Sequence, residues 1–322
     1  MKMRALLRYR QIPYLWVGQA AHVAAALKKV KVPVIPVLEF PDGHFANDST
    51  PLLFELEKRF SKRSVLPSSP ALAFLGCLFE DMADEWGTKI MFEYRWRRDL
   101  DQEIVSKRLA YDMLPATGAD ALNKKAHSLK ERQVSRMELV GCTPENQPLI
   151  ERSFEELLGH LEVLLTQQPY LFGSQPSLAD FALYGQLQQL NDDPTPRKIM
   201  QDKAVYTARW VDGLSDASGI DGQWTKDVPA QIQRLSGLID FAAQVYLPFL
   251  DANAKAVATG AEAFNVSLLG MPYQQAPFKY QVKCFIALRE RYSALNAEDK
   301  ALLKPALEAS GALKYLPRGR AA

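Results

Sequence analysis

A proline at the mouth of a short apolar strand, followed closely by a run of helix-capping residues, constrains the front of this chain more than any other feature. Ile35-Pro36-Val37-Leu38-Glu39-Phe40 reads as a strand entered through a proline, Pro41-Asp42-Gly43 as a turn, and the residues after His44 as a second short strand. Asp48, Ser49 and Thr50 are all good capping types, Pro51 suits a first helical turn, and Leu52 to Phe60 is amphipathic. The unit is therefore strand, turn, strand, helix. An ordinary strand followed by a capped helix would use the same residues, so the stretch alone does not decide a function.

A helix beginning there leaves backbone N–H groups and a partial positive charge at its start, which suits a carboxylate. Asp48 supplies the opposite sign beside it. A ligand bearing both an amine and a carboxylate, as an α-amino acid does, fits Asp48 and Ser49 together. Pro36 has no N–H for a sheet ladder and is a candidate cis site, which turns the main chain of Ile35 outward toward an extended peptide.

The order Val-Ile-Pro-Val-Leu-Glu, then Asp-Gly, then Asp-Ser-Thr-Pro resembles the glutathione-binding half of the glutathione transferase superfamily. That resemblance implies that Ile35, before a cis Pro36, pairs with the cysteinyl backbone of glutathione, and that Asp48 and Ser49 bind its γ-glutamyl end. It also implies a thioredoxin-like domain with one more strand in front, whose end carries the Tyr, Ser or Cys that activates the thiol. Here the sequence resembles such a domain from its first helix onward. Either a longer natural chain supplies the strand or this is a degenerate member, and the catalytic residue is unknown.

Three cysteines, Cys77, Cys142 and Cys284, are odd in number and far apart, which argues against a disulfide framework and fits a reducing, cytoplasmic compartment. No Cys-x-x-Cys pair, metal-spaced histidine, P-loop or Gly-x-Ser-x-Gly elbow is present, so no metal is expected. A formal net charge of +2 gives no case for nucleic acid or an anionic membrane surface, and no apolar run approaches the roughly 18 residues of a spanning helix. At 322 residues the chain is long enough for two domains or so.

In chain order, Met1 to Arg10 reads as a basic amphipathic helix, Gln11 to Val17 as a strand, and residues 18–29 as an Ala-rich helix. Ser61 to Pro70 is the best linker. From Ala71 to about Arg98, Leu75, Phe79, Met82, Trp86 and Ile90 share one helical face. Glu80, Asp81, Asp84 and Glu85 cover the other and are expected to be solvated. Trp86, Tyr94 and Trp96 line a pocket for an apolar second substrate or pack between helices; either reading fits. Another helix is expected around 100–111, and Thr143-Pro144-Glu145 starts one that runs through Thr166.

Ser177 and Asp180 stand at Ser-x-x-Asp spacing, a capping box for the apolar helix beginning with Phe181, Tyr184, Leu187 and Leu190. The segment from Gly173 resembles the box that begins the core helix of the helical domain in glutathione transferases, and Lys203 to Leu214 resembles that domain's closing helix. Beyond Trp224, Val228 to Gly260 reads as one long helix kinked at Pro248. Phe264 to Tyr273 reads as a hairpin turning at Leu269-Gly270, followed by helices over 277–295 and 297–310 and a tail over Leu316 to Arg320.

The expected architecture is α/β plus all-α. It comprises a thioredoxin-like glutathione-binding domain over 1–64, a helical domain over 65–227, and a mostly helical extension over 228–322. The expected activity joins glutathione to an apolar electrophilic small molecule, or exchanges it. The alternative is a non-catalytic binding or interaction protein lacking the thiol-activating residue. A homodimer is the assembly the resemblance implies.

Overall fold

The computed structural model describes residues 1–317. Its front part runs helix, helix, strand, strand, helix: α1 (Lys2–Tyr9), α2 (Ala20–Leu27), β1 (Val37–Glu39), β2 (Phe45–Asn47) and α3 (Ser49–Arg59). β1 and β2 form an antiparallel hairpin, with Val37 opposite Asn47 and Glu39 opposite Phe45. The tight return uses Gly43 at φ 80°, a conformation that costs glycine little.

Residues 11–17 are not a strand. They run as an irregular, largely exposed segment, with Leu15 93% exposed. Pro13 cannot donate to a ladder, and no strand among the described residues pairs with this segment, so the apolar alternation is not used.

The rest is helical apart from one hairpin. After an irregular connection come α4 (Pro70–Arg97), α5 (Asp99–Met113), α6 (Ala119–Val134), α7 (Gln147–Leu165), α8 (Leu178–Asp192), α9 (Pro194–Lys203) and α10 (Val205–Leu214). α7 starts at Asn146–Gln147 rather than at Thr143, because residues 143–146 form a turn in which the Thr143 hydroxyl accepts from the Asn146 N–H at 3.3 Å. α4 and α8 pack side by side at the centre. Gly76 permits their approach: a Cβ there would lie 2.8 Å from the Leu178 side chain. Trp86, Tyr94 and Trp96 are each about 1–2% exposed and belong to this core. Trp86 donates to the Ser153 hydroxyl at 2.9 Å, while Tyr94 tilts against Phe154 at 5.0 Å. Packing between helices accounts for all three.

The expected long helix over 228–260 is broken. α11 (Val228–Arg234) ends at Leu235, where the backbone leaves helical geometry. α12 (Ser236–Phe241), a π-helical turn (Ala242–Tyr246) and α13 (Leu247–Thr259) follow. Pro248 has no N–H to give the Gln244 carbonyl, which instead accepts from the Leu269 N–H at 3.4 Å. The proline is thus absorbed by a widened turn and a tertiary hydrogen bond.

β3 (Phe264–Leu268) and β4 (Met271–Gln275) make the second hairpin, with Leu269 at φ 49° and Gly270 at φ 75° as its two-residue turn. α14 (Lys279–Ala294) and α15 (Ala297–Ala309) close the chain. Of the expected tail, Leu316 is buried in the core and the Pro317 carbonyl accepts from Arg289, whereas Arg318 to Arg320 lie outside the described residues.

Candidate functional site

The hairpin and α3 bring the residues singled out by sequence to one end of the molecule's front part. The Ile35–Pro36 peptide is cis. Because Val37 pairs with Asn47, the strand start at Pro36 and the strand end at Asp48 leave the hairpin side by side. Ile35 is 71% exposed, and no hydrogen bond within the described residues engages its main chain.

Asn47, which sequence reasoning passed over, holds this corner together. Its Nδ2 donates to the Val32 carbonyl at 2.6 Å and to the Val34 carbonyl at 3.1 Å, so the last residue of β2 fixes the path of the chain into the cis peptide. Nothing in the Asn47-Asp48 dipeptide signals this, since both acceptors are main-chain atoms 13 and 15 residues away.

Asp48 is the N-cap residue of α3, at φ 72° and ψ 118°. A non-glycine residue at positive φ is strained, and the strain is not repaid locally, because the Asp48 side chain does not cap its own helix. Its Oδ2 instead accepts from the Tyr280 hydroxyl of α14 at 2.8 Å. The first intrahelical bond of α3 runs from the Leu52 N–H to the Asp48 carbonyl. The Ser49 and Thr50 amides therefore precede the ladder and stay available to an anion, and Pro51 has none to offer.

Ser49 is turned inward. Its Oγ donates to Asp84 Oδ2 at 3.1 Å and accepts from Lys2 Nζ at 3.2 Å. Thr50 Oγ1 donates to Glu80 Oε1 at 2.6 Å. The hydroxyls beside the strained aspartate thus tie α3 to α4, while the partly exposed Asp48 turns to α14 instead.

The four carboxylates of α4 are the main correction to the sequence reading. They do not form a solvated face. Glu80 is 2% exposed and lies 2.5 Å from Lys2 Nζ; Asp84 lies 2.6 Å from the same nitrogen. Asp81 accepts from the Tyr246 hydroxyl at 2.6 Å, and Glu85 from Gln281 Nε2 at 3.1 Å. α1, α3 and the π-helical turn with α14 surround α4 here, and each brings a donor; periodicity along α4 cannot reveal them.

Burial alone would lower the Lys2 ammonium, but Asp84 and Glu80 more than offset it and hold it above its ordinary value. Burial raises Asp84 to about 6 against the pull of Lys2. It raises Glu85 to about 7, against the hydrogen bond from Gln281.

None of the three cysteines is poised as a nucleophile. All are buried, and burial pushes Cys77 and Cys142 up to about 12 and Cys284 higher still. No group of three or more His, Cys, Asp or Glu among the described residues is placed to hold a metal ion. No described helix is long and apolar enough to cross a membrane. Two surface clefts lie away from this corner. One of about 580 Å³ is lined by Ser69, Gln175, Trp224 and Lys226, and one of about 430 Å³ by Arg152, Glu156 and His160.

Ser177 and Asp180 make the capping box of α8, fully buried. Asp180 Oδ2 accepts from the Ser177 N–H at 2.8 Å and from its hydroxyl at 2.5 Å, while the Asp180 N–H donates back to Ser177 Oγ at 3.4 Å. Asp180 Oδ1 also accepts from the Leu171 N–H at 3.0 Å. Next to the box, the Leu178 N–H donates to the Val65 carbonyl at 2.9 Å, which joins the chain leaving α3 to the start of the central helix. Its work is structural.

Residues 1–64 match the family model of the glutathione S-transferase N-terminal domain, and residues 134–213 match that of the C-terminal domain. No curated protein sequence and no solved structure matches the chain. A thioredoxin-like α/β front part, a helical part built on a buried capping box, and both domain matches in the right order lead to one assignment: the chain belongs to the glutathione S-transferase superfamily.

Proposed function

We propose that the chain binds glutathione at the corner formed by Ile35, Pro36, Asp48 and Ser49, and transfers its sulfur to an apolar electrophile. In this reading the Ile35 main chain pairs with the cysteinyl backbone. The Asp48 carboxylate takes the γ-glutamyl ammonium, and the Ser49 and Thr50 amides take its carboxylate. The observation that carries it is the exposed Ile35 main chain, engaged by no hydrogen bond among the described residues, leaving the hairpin beside Asp48, whose backbone stands at φ 72°. The domains are proposed as 1–64, 65–227 and 228–322.

The transfer step needs the thiol held as thiolate, which then bonds to the electrophilic carbon as its leaving group departs. A second reading, a glutathione binder without turnover, draws support from the three thiols, all buried and all raised by burial. Three free, buried thiols also support a reducing, cytoplasmic setting. A homodimer follows from family analogy alone and is checked by light scattering.

Wild-type protein should be retained on immobilised glutathione and eluted by free glutathione, with retention lost in Asp48→Ala. Failure of the wild type to bind in calorimetry overturns the assignment of the site. Turnover of an activated aryl halide with glutathione then separates transferase from binder.

A further inference from the structure

The Asp48 side chain is held by a residue 232 positions away. Tyr280 lies in the first turn of α14, within the segment beyond the family-matched residues, and its hydroxyl donates to Asp48 Oδ2 at 2.8 Å. The next residue, Gln281, donates to Glu85 of α4 at 3.1 Å, and Arg291 further along α14 stacks over the Phe54 ring of α3 at 4.3 Å. The same helix is thus docked on both elements that flank the proposed ligand corner. Asn253 of α13 fixes the approach to α14, with its Nδ2 donating to the Phe278 carbonyl at 3.0 Å and its Oδ1 accepting from the Phe278 N–H at 2.7 Å.

Two features make the Tyr280 contact more than packing. Asp48 adopts a strained backbone that carries its carboxylate away from the helix it would otherwise cap, and Tyr280 meets it there. No lysine or arginine among the described residues lies within ion-pair distance of Asp48, so its charge is steered by a neutral donor and left uncompensated. One oxygen is occupied by the hydroxyl. The other remains for an incoming cation.

We infer that Tyr280 is a ligand-positioning residue: by holding one oxygen of Asp48, it sets the carboxylate to receive the α-ammonium of the γ-glutamyl group, making the C-terminal extension part of the binding site. This rests on the proposed glutathione site. It assigns the extension a role in recognising the amino end of the ligand specifically, as distinct from its thiol or its glycyl end.

The test measures, by calorimetry on the full chain, the affinities of glutathione and of its des-amino analogue, which lacks only the α-ammonium. Wild type should favour glutathione. Tyr280→Phe should weaken glutathione at least about tenfold, the scale of one hydrogen bond to a charged group, while changing the analogue less than about twofold. In an Asp48→Asn background, Tyr280→Phe should have no further effect on the preference. The thermal midpoint of each variant confirms that it is folded.

Equal weakening of both ligands by Tyr280→Phe, or an unchanged preference, overturns the positioning role while leaving the glutathione site intact. Tighter glutathione binding by Tyr280→Phe also overturns it, because the hydroxyl would then compete with the ligand. Absence of wild-type binding to either ligand removes the site itself, a distinguishable failure.

Discussion

Lys2 Nζ lies 2.5 Å from the Glu80 carboxylate and 2.6 Å from that of Asp84, so an ammonium at the second residue of the chain neutralises carboxylates in the middle of the central helix. With side chains 8% and 2% exposed, the Lys2–Glu80 pair is out of water. Truncating Lys2 strands two carboxylates. Lys2→Met should destabilise the protein by about 3–5 kcal/mol, the scale of breaking a buried ion pair from one side. Adding Glu80→Gln and Asp84→Asn should recover part of that loss, read by chemical denaturation. A Lys2→Met protein as stable as wild type would show that the charges are solvated after all.

Asn47 acts on a different quantity. Asn47→Ala removes two hydrogen bonds that fix the chain before the cis peptide but buries no new charge. Stability should fall by only about 1 kcal/mol, while glutathione affinity falls about tenfold as the Ile35 main chain loses its fixed position. Parallel melting curves and calorimetry check the split.

Burial raises Glu85 from its ordinary value to about 7, so between roughly pH 4.5 and 7 the folded protein holds a proton that the unfolded chain has lost. The stability from this group is complete below the lower value and is lost as pH rises through the upper one. Asp84 and Asp180, both raised to about 6 chiefly by burial, act in the same direction. Lys89, lowered to about 8 by burial, acts oppositely at higher pH. Melting temperature should therefore decline from about pH 5 to about pH 8. Glu85→Gln should flatten that decline and raise the midpoint at the alkaline end, as differential scanning calorimetry would record.

Removal of the Ser177 hydroxyl leaves the Asp180 amide without its partner in a site closed to water. Ser177→Ala should cost about 1–3 kcal/mol, at or above the ordinary value for a lost N-cap, because burial prevents substitution by solvent. Glutathione affinity measured well below the melting temperature should be unchanged. A fall in affinity at constant stability would give the box a role in binding.

The local sequence was sufficient wherever backbone geometry and near neighbours decide the outcome. A proline before an apolar strand, Gly43 in a turn, Leu269-Gly270 between alternating residues, and Ser177 three residues from Asp180 each carry their partner within a few positions. The hairpin, the start of α3, the capping box and several of the helices were legible for that reason, whereas α6, α9 and the break at Leu235 were not. The segment from Gln11 to Val17 shows the opposite case: its alternation is a strand pattern, but strands exist only by pairing, and none among the described residues pairs with it.

Charge was where only the tertiary structure could decide. Glu80, Asp81, Asp84 and Glu85 have the spacing of a solvated helix face, and their burial depends on Lys2, Ser49, Thr50, Tyr246 and Gln281 arriving from far along the chain. Asp48 was visible as a capping residue, yet its outward turn and its bond to Tyr280 were not, because the donor lies 232 residues away. Periodicity reports which residues share a face. What meets that face is settled by packing between distant elements, and a buried carboxylate is tolerated only where such packing delivers its donor.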